Sequence, residues 1–446
     1  MANDPLMNGT RHNQTEFDNE LFRKITYRVI PVLWLAYIIN YLDRTNIAFA
    51  KLQMQEQLGF SNAVFGLGAS MVFVGLILFE IPSNLILARI GMRKTLIRIM
   101  VLWGLCSASM AFVTTPMQFY ILRFFLGVFE AGLSPGGLYF ITLWYPAARR
   151  AHANSLLITA PSIAALLSGP LAAGFITYFD GIAGLHGWQW LFIMEGLPCV
   201  LLAVVVYKVL SNCPDEAGWL TTNQRARVSN LLRQDRLETP NHSLNKREVA
   251  RILGNPLFWA LSSVGFLLLI ALFGLTFWQP TLLKGLGLSN MQVGLYSVFP
   301  ALSGAIGAIV IGKHSDRTGE RCRHFIACAL TASVGLLLTA VSGGSFLGVM
   351  FSLCVAWAGM SSAFSLVWAF PARIFSGSLA AAGFALLTVV TGGAGIVAPY
   401  SIGLLKTATG GFSVTLYLMS ALVALATLIF YWFFCKVRHE RTAILS

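Results

Sequence analysis

The sequence predicts an all-α membrane protein, with twelve transmembrane helices in two pseudo-symmetric six-helix bundles. Three observations lead there. Of 446 residues, 56% are hydrophobic and only 11% charged, and the mean hydropathy is +0.71. A soluble domain is roughly one quarter charged, and a disordered chain combines low hydrophobicity with many charges. The apolar residues gather into long unbroken runs, each near the ~20 residues that cross a bilayer as a helix. A membrane β-barrel would instead show alternating segments of about 10 residues. The runs also divide into two sets of six around one polar stretch.

In order, the first set lies at 27–48, 64–88, 95–113, 117–141, 153–176 and 191–211. The second lies at 258–280, 291–312, 324–341, 346–368, 380–403 and 413–436. The domains expected are a cytoplasmic tail (1–26), an N-terminal bundle (27–211), a cytoplasmic linker (212–256), a C-terminal bundle (257–436) and a second cytoplasmic tail (437–446).

The net charge of +13 gains meaning from position. With the N-terminus inside, the outer loops hold only Lys51, Lys284 and Lys406, and the spans hold Arg44 and Arg123. Every other Lys and Arg falls on the inner side. That asymmetry predicts cytoplasmic termini and removes the reason to read the basic balance as nucleic-acid binding. The sequons at Asn8, Asn13 and Asn241 then face the cytoplasm and are not expected to be glycosylated. The polar N-terminus lacks the layout of a cleaved signal peptide. The seven Cys are scattered without CxxC spacing, so they are expected to be reduced and structural. No nucleotide loop or metal-ligand cluster is apparent, so the chain is not expected to be an enzyme.

An internal repeat follows. The loop after span 2 runs from Asn84 through Ala88-Arg89, Gly91 and Arg93. The loop after span 8 runs from Gly312 through Asp316-Arg317, Gly319 and Arg321. Both fit (G/N)-x-x-x-(D/A)-R-x-G-x-R, about half a chain apart. Glycine permits a tight turn, and each Arg is expected to meet a helix terminus or a carboxylate as a gating latch. Glu80 is placed beside this loop, and Glu195 in the outer first turn of span 6, where a carboxylate suits the helix dipole.

These motifs resemble the major facilitator superfamily, and more narrowly its anion:cation symporter branch. The branch marks are Asn40-Tyr41-Leu42-Asp43-Arg44-Thr45-Asn46, Pro82-Ser83-Asn84, Arg123-Phe-Phe-Leu-Gly127-Val-Phe-Glu130-Ala-Gly132, and Trp188-Gln-Trp190 with Glu195-Gly196. The branch includes bacterial galactonate, tartrate, phthalate and hydroxyphenylacetate carriers and animal sialic-acid carriers. Ala88 departs from the superfamily's usual Asp. The resemblance implies proton carriage by Asp43 and Glu130, with Arg44 and Arg123 as anion partners or gating groups.

The residues support the same chemistry independently. Charge inside hydrocarbon is costly and marks function by default. The cores of spans 7–12 carry none, whereas spans 1–6 carry Asp43, Arg44, Glu80, Arg123, Glu130 and Glu195. On span 4, Arg123 and Glu130 are two turns apart, about 10 Å of rise, with Gly127 between them and Ser134 beyond. That stripe is expected to line an aqueous cavity. On span 1, adjacent Asp43 and Arg44 point about 100° apart and serve different neighbours. With both carboxylates ionised the four groups are neutral; with both protonated they carry two positive charges. Proton and anion binding are therefore linked. Paired charges that only lock helices together are the alternative.

The C-terminal half must read substrate with neutral groups. Span 10 offers Trp357, Ser361, Ser365 and Trp368 at helical spacing, against ordinary aromatic packing as the alternative. Tyr41 and Gln279 are further candidates. The resemblance adds two departures: Gly392 stands where many branch members carry Asn, and Pro161-Ser162 where sugar-acid carriers have a Gln-aromatic pair. Both point away from sugar acids toward a less hydroxylated or aromatic carboxylate.

The reading is a proton-coupled importer of a small organic anion, with no cofactor beyond the proton. Its expected partners are that anion and the bilayer, as a monomer in the bacterial inner membrane, without nucleic acid. The alternatives are an exporter or exchanger of organic anions or drugs, and a non-transporting sensor.

Overall fold

A computed structural model describes residues 5–238, 246–375 and 378–436. Among them, twelve helices are long and apolar enough to cross a membrane. Spans 1–6 are Thr15–Leu58, Asn62–Ile90, Met92–Phe112, Pro116–Trp144, Ala147–Tyr178 and Gly187–Val209. Spans 7–12 are Pro256–Lys284, Asn290–Thr318, Cys322–Val341, Phe346–Val367, Ala382–Thr409 and Ser413–Cys435. Several exceed what a bilayer requires, so they tilt or project beyond it. The helix of span 1 runs back continuously to Pro5.

Capping chemistry sets several ends. Thr115 and Gln118 form a reciprocal capping box at the start of span 4, and Ser289 and Gln292 do so in span 8. The short connection between spans 5 and 6 is pinned through Asp180. Its Oδ1 accepts from the Gly187 amide and from Gln53, each at 2.8 Å. These donors hold the Asp180 carboxyl below the usual range, the backbone bond contributing most.

Within the first bundle, spans 2 and 4 approach almost backbone to backbone. A Cβ on Gly127 would collide with the Val72 carbonyl oxygen, and one on Gly75 with that of Phe124. Small residues allow this contact where no hydrophobic effect drives helices together. The linker helix Thr222–Glu238 docks on the same bundle. Trp219 stacks on Trp144 at 5.6 Å, and Arg227 grips Asp18 with two bonds of 2.7 and 2.8 Å. This end is the linker side, and the opposite end is the far side.

The two bundles meet toward the far side. Ser70 donates to the Ile396 carbonyl at 2.6 Å, and Gly66 abuts Pro399, joining span 2 to span 11. Gly169 and Gly294 join span 5 to span 8. Lys51 donates to Thr281 at 3.3 Å, joining span 1 to span 7. Phe73 packs on Phe273 and Phe277, with centroids 4.9 and 6.1 Å away. These contacts form a seal.

Candidate functional site

The intramembrane charges assemble around span 1. Arg44 points toward span 4 and forms an ion pair with Glu130. Its side chain is 25% exposed, while that of Glu130 is 2% exposed. The guanidinium also lies 5.9 Å from the Phe73 ring centroid. Arg44 precedes Lys51 by two turns, about 10 Å along the helix, so it sits on the linker side of the seal. Glu80 is half-buried and feels the charge of Arg44. It therefore belongs with Arg44 rather than beside the Arg89–Arg93 loop, because span 2 continues well beyond it to Ile90.

Asp43 points elsewhere, as adjacent helical residues must. It is 1% exposed and accepts three hydrogen bonds. Trp103 Nε1 donates at 2.7 Å and Asn46 at 3.2 Å, and the Ser107 hydroxyl donates as well. Neither Trp103 nor Ser107 stands out in the sequence. Their spacing on span 3 is one helical turn, but nothing in that pattern says which span they face.

Asn46 also faces Glu195. Glu195 was expected in the first turn of span 6; that helix starts at Gly187, so the carboxylate lies two turns inside, buried, with Oε2 unpartnered. The helix dipole is then not its partner.

Arg123 is fully buried, and its Nε donates to the Gly68 carbonyl at 3.4 Å. Both terminal guanidinium nitrogens lack a hydrogen-bond partner. It feels the charges of Asp43 and Glu130. The expected water-lined stripe through Arg123 and Gly127 is therefore not a cavity wall here. That face packs on span 2, because Gly127 admits the Val72 backbone. Nor does Ser134 continue it. Span 4 breaks after Glu130, and Gly132 adopts φ +93°, a conformation that favours glycine. The Ser83 hydroxyl donates to the Ala131 carbonyl at 2.5 Å and receives from Arg98 at 2.7 Å, holding the break. Motif residues Ser83 and Gly132 thus meet at one kink.

The residues matched by the Major Facilitator Superfamily profile run from 33 to 399. The chain belongs to the Major Facilitator Superfamily. It is 38% identical over 414 residues to a protein of Agrobacterium vitis assigned as a tartrate transporter, covering 93% of this chain and 91% of that one. It is 36% identical over 435 residues to a quinolone resistance transporter of Acinetobacter baumannii, covering 96% and 98%. A bacterial homologue of the human lysosomal transporter Spinster, solved inward-facing and unoccupied, shares the fold. Its TM-score is 0.75 at 17% identity, covering 91% of this chain and 96% of that one. These relatives are membrane transporters and not enzymes.

In this superfamily member, the two repeated loops behave differently. Arg93 donates to the Tyr207 carbonyl near the end of span 6 and lies over the Tyr207 ring at 4.5 Å. Arg321 pairs with Asp316 at 3.2 Å. Each finds one of the two expected partners, a helix terminus or a carboxylate, but within its own bundle. Arg89 and Arg317 are exposed.

The substrate-reading candidates do not converge on one point. Gln279 accepts from Trp357 Nε1 at 2.5 Å. Ser365 donates to the Ser362 carbonyl at 2.9 Å. Trp368 lies between Phe364 and Phe384, at 5.6 and 5.1 Å. Tyr41 is half-buried, packs against the small cluster of Ile38, Leu42, Ala160 and Ala164, and feels the charge of Arg44. Of this group, Tyr41 is the one on the same helix as Arg44, one turn before it.

Proposed function

We propose that the chain is a proton-coupled symporter importing a small organic carboxylate by alternating access. The observation that carries this reading is the Arg44–Glu130 pair: a cation and a proton-accepting carboxylate in contact, on the linker side of a closed seal. Protonation of Glu130 cancels its charge and releases the Arg44 guanidinium. A substrate carboxylate then takes the vacated position, with two parallel N–H donors available to it. Substrate on Arg44 in turn favours protonated Glu130, because coupling between two binding events is reciprocal. Proton and anion therefore travel together.

Asp43 and Arg123 supply the second pair of opposite charges. Buried behind the first, they are a further proton carrier and a further anion partner, reached as the bundles rock about the midplane. The loops holding Arg89, Arg93, Asp316, Arg317 and Arg321, with Glu80, gate the linker side. Gln279, Ser365, Trp368 and Tyr41 supply neutral contacts to the rest of the substrate.

The distribution of Lys and Arg supports a cytoplasmic linker side. The far-side seal then closes the outer face, which gives an inward-facing conformation. The setting is a bacterial inner membrane, the protein acts as a monomer, and the proton is its only coupling partner. The relative assigned to tartrate transport supports an organic-anion substrate. The relative named for quinolone resistance supports the second reading, export or exchange of organic molecules. Initial uptake of labelled carboxylates against external pH separates the two. Symport requires faster uptake as external pH falls and collapse with an uncoupler. Uptake that ignores both refutes it.

A further inference from the structure

The seal contains a second cationic centre that the Arg44–Glu130 mechanism does not use. Lys51, read from the sequence as an outer-loop residue, instead lies within the span 1 helix and is 2% exposed. Its ammonium sits 3.7 Å from the Trp278 ring centroid and 5.8 Å from that of Phe65. Thr281 Oγ1 accepts from it at 3.3 Å. From span 11, Lys406 approaches the same Trp278 ring at 5.9 Å and the Phe412 ring at 4.2 Å. Two like charges from opposite bundles thus share one indole. Among the described residues no carboxylate forms an ion pair with either lysine.

An ammonium is compact and strongly hydrated, so burying it needs compensation. A tryptophan face supplies some, and two cations beside one ring divide that supply. Lys51 and Trp278 belong to different bundles, so parting the bundles on the far side strips the ring from Lys51. Lys406 and Trp278 stay in one bundle. An opened mouth would then present two ammonium groups that no carboxylate among the described residues pairs, beside an aromatic wall.

We propose that Lys51 and Lys406, flanking Trp278 at the far-side mouth, form a capture site for the carboxylate of the incoming substrate, and that the Trp278 ring takes the place of that carboxylate on Lys51 when the seal closes. This rests on the organic-anion reading above and adds an entry site for the substrate. Delivery toward Arg44 is short, because the two cations lie on one helix two turns apart. Attraction at this mouth acts on capture of dilute anion, so it appears in KM more than in kcat.

The test is uptake of labelled tartrate and labelled benzoate, an aliphatic and an aromatic carboxylate, into proteoliposomes. The unaltered chain is compared with Lys51→Met, Lys406→Met, Lys51→Arg and Lys284→Met. Lys284 is another far-side lysine, bonded to Asn290 at 2.9 Å and outside the cluster. Lys51→Met and Lys406→Met should each raise KM about tenfold at low ionic strength, with a smaller change in kcat. Lys51→Arg should recover most of the loss, and Lys284→Met should leave KM unchanged. At about 0.5 M salt the difference should shrink, because exposed charges are screened. If Lys51→Met does not fold, Lys406→Met and Lys51→Arg still decide. An unchanged KM in the methionine variants, or an equal rise in Lys284→Met, overturns the capture site alone. Failure of the unaltered chain to take up either carboxylate contradicts the organic-anion reading, and the capture site falls with it.

Discussion

Trp103 Nε1 lies 2.7 Å from Asp43 Oδ2, so an indole on span 3 fixes the carboxylate of span 1 at the centre of the first bundle. Ser107 and Asn46 donate to the other oxygen. Three donors on one buried carboxylate leave little freedom for its rotamer. Asp43 is thus a rigid anchor in this conformation, whereas Arg44 beside it is partly exposed and can change partners.

Removing one donor should expose the cost of that arrangement. Trp103→Phe keeps the ring and deletes the N–H. A buried acceptor that loses a donor costs about 1–3 kcal/mol. The midpoint of thermal unfolding in detergent should fall accordingly. An unchanged midpoint would mean the Trp103 bond contributes nothing to stability.

Glu130→Gln preserves size and removes the titrating group. Arg44 then loses its anionic partner and stays permanently available to substrate. Uphill accumulation should vanish while exchange of labelled for unlabelled substrate persists. Normal accumulation in this variant would remove Glu130 from proton carriage.

Helix approach gives a prediction with an internal control. A Cβ on Gly127 meets the Val72 carbonyl, whereas one on Gly174 meets nothing within 4 Å. Gly127→Ala should destabilise the protein by roughly 1–3 kcal/mol through overpacking. Gly174→Ala, in an open helical position, should be neutral or stabilise by up to about 1 kcal/mol. Equal unfolding midpoints for the two variants would contradict the packing described for spans 2 and 4.

The seal can be propped open. A Cβ on Gly66 would stand 2.5 Å from the Pro399 carbonyl oxygen, part of a backbone that cannot swing aside. Gly66→Leu should therefore separate spans 2 and 11 on the far side. A reporter cysteine in place of buried Ala69 should react slowly with a membrane-impermeant thiol reagent, and several-fold faster once Gly66→Leu is added. Equal rates would show that the seal does not depend on this contact.

Much of this was legible in the sequence because the signal was local. Twelve apolar runs gave twelve spans, and the divergence of Asp43 and Arg44 followed from helical geometry alone. The repeated loop spacing pointed to helix termini and carboxylates, and Tyr207 and Asp316 supply them. What was not legible depends on which spans touch. Trp103 and Ser107 look like ordinary residues of an apolar helix until span 3 is placed against span 1. Glu195 was assigned to a helix end because the apolar run starts later than the helix, whose first turn includes Trp188, Gln189 and Trp190. The break after Glu130 rests on Gly132, one glycine among 41, and only its φ and the Ser83 contact distinguish it. Lys51 read as a loop anchor because a charged residue ends a hydropathy run, although its aromatic partners let the helix carry it into the seal.

The central claim is that a proton and an organic anion move together through the Arg44–Glu130 pair. The most direct measurement is proton movement itself, followed with a pH-sensitive dye trapped inside proteoliposomes as carboxylate is added outside. The unaltered chain should acidify the interior in step with uptake of tartrate or benzoate, and Glu130→Gln should show no carboxylate-dependent acidification. Uptake by the unaltered chain without acidification, or acidification that persists in Glu130→Gln, would contradict the account.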